Sequence, residues 1–107
     1  MDWYTIEFLY PESFKKFVVI MFPNLGILSV STLENYDIKK LYSFFDREGV
    51  YLNIEITNQN QCLYSISLSN GAVFGPTQSW KSNRDEVEVD GFSECFKLLD
   101  KKIRDLK

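Results

Sequence analysis

The spacing of hydrophobic and polar positions along the chain changes several times, and each change predicts an element. Residues 3–9 (WYTIEFL) alternate, with Tyr4, Ile6 and Phe8 on one face and Trp3, Thr5 and Glu7 on the other, the period of a strand. Pro11 suits the first turn of a helix, and Glu12 is favourable beside the positive end of its dipole. Phe14, Phe17, Val18 and Met21 follow the three-four spacing of a buried helical stripe, while Lys15 and Lys16 point outward. Pro23 ends that helix, because the residue before a proline is pushed out of α geometry. The apolar, partly β-branched stretch 26–31 (GILSVS) reads as a short strand. A second helix is expected over 34–48, with Ile38, Leu41, Tyr42 and Phe45 on one face and Gly49 as its left-handed cap.

The next segment has the clearest alternation. Val50, Leu52, Ile54 and Ile56 alternate with Tyr51, Asn53, Glu55 and Thr57, marking a half-buried strand. After a turn at Asn58-Gln59-Asn60, Cys62, Tyr64, Ile66 and Leu68 alternate with Leu63, Ser65, Ser67 and Ser69. Asn70-Gly71 suits a type I′ hairpin turn, and residues 72–74 return as a third strand until Gly75-Pro76 stops it. Residues 75–82 are then a loop, with Ser82 and Asp85 placed as a capping box. Val89, Phe92, Phe96, Leu99, Ile103 and Leu106 step by three and four, predicting a helix over 83–106. Acids crowd its first half and bases its second, as the helix dipole prefers. Gly91 is unfavourable inside it, so a shorter helix capped by Asp90 is the competing reading; the longer one is preferred.

The resulting order, β-α-β-α-β-β-β-α, predicts a single α+β domain over 1–107. It would be a two-layer sandwich with a mainly antiparallel sheet and helices on one face. Tyr51, Asn53, Glu55, Ser65 and Ser67 would form the outer sheet face.

Composition supports a packed core. Of the 107 residues 45% are hydrophobic, including nine Phe, six Tyr and two Trp, enough to do without a metal or a disulfide. Cys62 and Cys95 are far apart in sequence and both fall on core-facing positions, so they read as reduced, buried thiols. A net charge of −3 disfavours generic binding to nucleic-acid backbone. Acids interrupt the opening residues, no basic leader precedes them, and the apolar run Phe17 to Phe22 is short, so a cytoplasmic protein without a membrane partner is expected. The single alanine, Ala72, and the abundance of Phe, Asn, Lys, Ile and Tyr match usage common in A+T-rich coding DNA, including many mobile elements.

The absence of histidine removes Ser-His-Asp and Cys-His catalysis and His-ligated zinc, leaving serine-lysine or carboxylate chemistry. Asp46 and Glu55 could belong to a two-metal nuclease, but Glu55-Ile56-Thr57 lacks the expected lysine and both acids read as solvated. Glu86, Glu88 and Asp90 could supply paired carboxylates for glycoside hydrolysis, yet they lie in a highly charged helix start. Neither GxGxxG nor a P-loop occurs. The pairs Lys15-Lys16 and Lys39-Lys40 could touch phosphates, and outward solvation is the plainer reading. No catalytic residue, cofactor or metal is assigned.

Two features point to a partner. Residues 82–95 hold five acids against Arg84 alone, a patch suited to a basic protein surface, with ordinary helix charging as the competing explanation. Trp80 lies in a polar stretch where a contact residue would be found, although it could equally fold back on the sheet edge. Trp3, on the less buried face of the first predicted strand, poses the same alternatives. The expectation is a small acidic, non-enzymatic protein-binding module of inhibitor or immunity type, using Trp80, Asp85, Glu86, Glu88 and Asp90. The alternative is a nucleic-acid accessory protein stacking single strands on Tyr51. A hydrolase using carboxylates or lysine is a third reading, and a homodimer stays open.

Overall fold

The structure, a computed structural model, describes residues 1–22, 38–56, 62–79 and 84–106. Among the described residues four helices, α1 (Trp3–Leu9), α2 (Pro11–Met21), α3 (Ile38–Arg47) and α4 (Arg84–Asp105), join three strands, β1 (Val50–Ile56), β2 (Cys62–Leu68) and β3 (Val73–Ser79). The α+β class is as expected, and the strands form one antiparallel sheet in the order β1-β2-β3. The strand expected over 26–31, the turn at 58–60, Trp80 and Ser82 lie outside the described residues.

The first element corrects the sequence reading: residues 3–9 are helical. Asp2 caps the helix, its carboxylate accepting from the Thr5 amide at 3.2 Å and from the Thr5 hydroxyl at 2.7 Å. Over seven residues neither the alternating nor the helical period repeats often enough to decide, and tertiary packing does. Trp3, expected on the less buried face, is 3% exposed. Its ring stacks on Phe17 at 5.6 Å and meets Phe96 edge-on at 5.9 Å. Tyr4 and Phe8, expected inward, are exposed.

Helix α2 begins at Pro11 and buries Phe14 and Phe17 as its pattern predicts. Helix α3 buries Leu41 and Phe45, and also Phe44, which the sequence reading left out. Gly49 ends it with φ +75°, in the left-handed region expected of its cap.

Strands β1 and β2 pair from Val50↔Leu68 to Ile56↔Cys62, which puts Val50, Leu52, Cys62 and Ile66 inward and buried. Ile56, at the strand end, is exposed instead. The hairpin is a three-residue loop over 69–71 and not a two-residue type I′ turn. Gly71 N–H donates to Leu68 O at 2.9 Å, Leu68 N–H donates to Ala72 O at 2.8 Å, and Gly71 takes φ +93°. Strand β3 does not stop at Gly75-Pro76 but runs through it to Ser79, so the loop expected over 75–82 is strand for more than half its length. The register jumps from Ile66↔Phe74 to Tyr64↔Thr77, so Gly75-Pro76 sits in a bulge on an edge strand, where a missing N–H is tolerated.

Helix α4 is continuous through Gly91 and lies between the sheet and the α1–α2 pair. Phe92 packs on Tyr42 and Phe45, while Phe96 packs on Phe17 and Phe45. Gly91 explains its own presence: a Cβ there would lie 2.6 Å from Leu52 Cδ1, so the missing side chain lets the helix settle on β1. Asp100, which the sequence reading passed over, is fully buried. It accepts from the Ser13 amide at 2.9 Å and from Arg104, while Ser13 Oγ donates to Phe96 O at 2.9 Å. No described helix is long and apolar enough to cross a membrane.

Helix propensity alone would make Gly91→Ala stabilising by about 1 kcal/mol. Overpacking against Leu52 is expected to outweigh that with a cost of about 1–3 kcal/mol. Urea unfolding should therefore show a net loss in the wild-type background and a gain in a Leu52→Ala background. A gain in both backgrounds would contradict the close approach.

Candidate functional site

The acidic residues singled out from the sequence lie along the first half of α4, and packing divides them. Asp85 and Glu86 sit in its first turn and are exposed. Asp90, one turn on, is half-buried. Glu88 is buried, a correction to its assignment as a contact residue. A helical step of two residues from Glu86 turns its side chain about 200° around the axis, towards α3.

There Glu88 does structural work. Arg84 Nε lies 3.3 Å from Glu88 Oε1, one turn away on the same helix. The Tyr42 hydroxyl of α3 lies against the Glu88 carboxylate, with Arg84 beside both. Burial is the main cause that pushes the Tyr42 phenol up from 10.0 to about 12, and the Glu88 charge adds to it. A phenolate at this half-buried position would lie against a carboxylate. The cluster therefore holds α3 on α4 and does not supply a nucleophile.

Tyr51 stands on the outer sheet face as expected and is 39% exposed. Asn53 and Ser67, joined by a side-chain hydrogen bond of 3.4 Å, share that face with Glu55. Among the described residues this face carries no lysine or arginine, so Tyr51 has no cationic path beside it.

The remaining candidates separate in the same way. Cys62 and Cys95 are both buried thiols. Burial pushes the Cys95 thiol well above its ordinary range, with Glu94 adding to the effect, so it stays protonated. Asp46 and Glu55 are exposed on different elements. No group of three or more acids or cysteines among the described residues could hold a metal ion. The lysine pairs are not uniformly solvated: Lys16 bridges to Glu48 at 2.8 Å, and Lys40 lies 4.9 Å from the Phe22 ring centroid.

Two surface features escaped the sequence reading. Tyr4, Phe8 and Leu9 project from α1, hidden in the sequence by the alternation that assigned Tyr4 and Phe8 to the core. A groove of about 470 Å³ opens between the β2–β3 hairpin and the end of α4. Its residues come from distant segments, so no local pattern announces it. No family model, curated protein or solved structure matches the chain.

The raised Tyr42 pKa carries a pH dependence of stability. Its folded value lies above the ordinary one, so its contribution is fully present below pH 10.0 and is lost as pH rises through about 12. Melting temperature measured across that window should fall less steeply for Tyr42→Phe than for the wild type. Identical slopes would contradict the placement of the phenol against Glu88.

Proposed function

We propose that this protein is a small acidic binding module of inhibitor or immunity type, acting in the cytoplasm by contact with a basic protein surface. The observation that carries the reading is the division of acids on α4. Glu88 and Asp100 are buried and committed to neighbouring helices, whereas Asp85 and Glu86 stand exposed in the first turn. Exposed acids at one end of a chain of net charge −3 attract a cationic partner over several ångströms and speed its docking. Asp90 flanks this contact, and Trp80 is kept as a further contact residue on its sequence alone. Glu88 is withdrawn from the contact set because its carboxylate holds Tyr42 and Arg84.

The full chain immobilised as bait in lysate of the native host tests the reading. The double variant D85K/E86K replaces favourable helix-dipole interactions with unfavourable ones, about 2 kcal/mol per site at most, and its circular dichroism establishes that it is folded. It should retain about tenfold less of the captured protein at low salt, and the difference should shrink as salt rises. Equal capture by folded wild type and variant would overturn the proposal, as would a wild-type bait that retains nothing above the variant's background.

A further inference from the structure

We propose that the chain pairs with a second copy of itself, the exposed face of α1 from each copy seating in the groove between the β2–β3 hairpin and the end of α4 of the other. The described fold leaves open two apolar surfaces flanked by opposite charges. On α1, Phe8 is 84% exposed and Tyr4 69%. They are four residues apart and so stand together on one helical face. Glu7 is exposed beside them, and Leu9 extends the apolar area. Three large apolar side chains displayed by a seven-residue helix mark a contact surface more than a solvated one.

The groove is the counterpart. Leu68, Phe74, Leu98 and Leu106 give it apolar walls, and Lys101 and Lys102 stand on its rim. Phe74 and Leu106 are themselves exposed, the latter by 80%. Asp105 is the acid on the same rim, so the lining as a whole is net positive in a protein whose net charge is −3. A volume of about 470 Å³ exceeds the cavity of about 150 Å³ that accommodates a benzene ring, so it has room for Phe8 with Tyr4 beside it.

Shape and charge thus favour an aromatic, acidic helix as occupant, and α1 is such a helix. One contact covers both exposed apolar surfaces and brings Glu7 to Lys101 and Lys102. Made reciprocally about a two-fold axis, it closes on itself and does not propagate into a filament. Asp85 and Glu86 take no part, so this contact is separate from capture of a basic partner.

Sedimentation equilibrium of the full chain tests the proposal directly. The wild type should be a dimer. Phe8→Asp should raise its dissociation constant by about thirtyfold or more, as loss of a central aromatic anchor does. Its circular dichroism should be unchanged, because Phe8 lies outside the core. K101E/K102E should also weaken the dimer, and the triple variant E7K/K101E/K102E, with both signs exchanged, should regain it. A wild type that stays monomeric up to its solubility limit would overturn the proposal. So would a dimer unaffected by F8D, which would be built on another surface, or a triple variant as weak as K101E/K102E.

Discussion

Burial of the Asp100 carboxylate commits residues from two helices to a single arrangement. An ionised carboxylate taken out of water loses several kcal/mol of solvation unless donors replace the solvent. Here the donors are the Ser13 amide, 2.9 Å away, and the Arg104 guanidinium one turn along α4. The Ser13 amide belongs to the first turn of α2, where no intrahelical acceptor exists, and Tyr10 at the N-cap offers no capping side chain. Asp100 therefore caps α2 from another helix, and the positive end of the α2 dipole in turn favours the buried charge. Ser13 Oγ returns a hydrogen bond to Phe96 O at 2.9 Å, so the two helices are tied in both directions. The stack of Trp3 on Phe17 and the edge contacts of both with Phe96 lie alongside, which couples α1 to the same joint.

From that joint, α4 organises the rest. Gly91, one and a half turns before Phe96, presses its bare backbone towards Leu52 and sets the distance to the sheet. Glu88 fixes α3 through Tyr42. The inward acids of α4 thus hold neighbouring helices, while Asp85 and Glu86 make its first turn acidic and Lys102 and Arg104 make its last turn basic. The proposed functions use the surface: the exposed acids for a basic partner, and the lysine-lined groove for the aromatic face of α1 that carries Glu7.

What could be read from the sequence was what depends on long local periods. Strands β1 and β2, helix α2, the Gly49 cap and the charge polarity of α4 all follow from residue spacing within one element. Helix α1 reads as a strand because seven residues give too few positions to separate periods of 2 and 3.6, and the deciding contact, Trp3 on Phe17, involves another helix. The extension of β3 past Pro76 depends on the strand being an edge, which is a property of the sheet and not of the segment. Asp100 carried a faint signal. It sits four residues after Phe96 on the apolar stripe and four before Arg104, a polar residue on a buried face with a cation one turn away. The missing half of that signal, an uncapped helix start at Ser13, is 87 residues away. Glu88 was masked by its neighbours, since a run of acids reads as one solvated surface until a helix axis separates its faces.

The joint at Asp100 can be tested at one atom. Native-state hydrogen exchange, followed by NMR, reports how firmly the Ser13 amide is held. If the carboxylate caps α2 within a packed core, this first-turn amide exchanges as slowly as the central amides of α4, opening only when the whole domain unfolds. Exchange at the rate of an ordinary frayed helix start, with the α4 amides still protected, would contradict the arrangement on which the fold and both proposed contact surfaces rest.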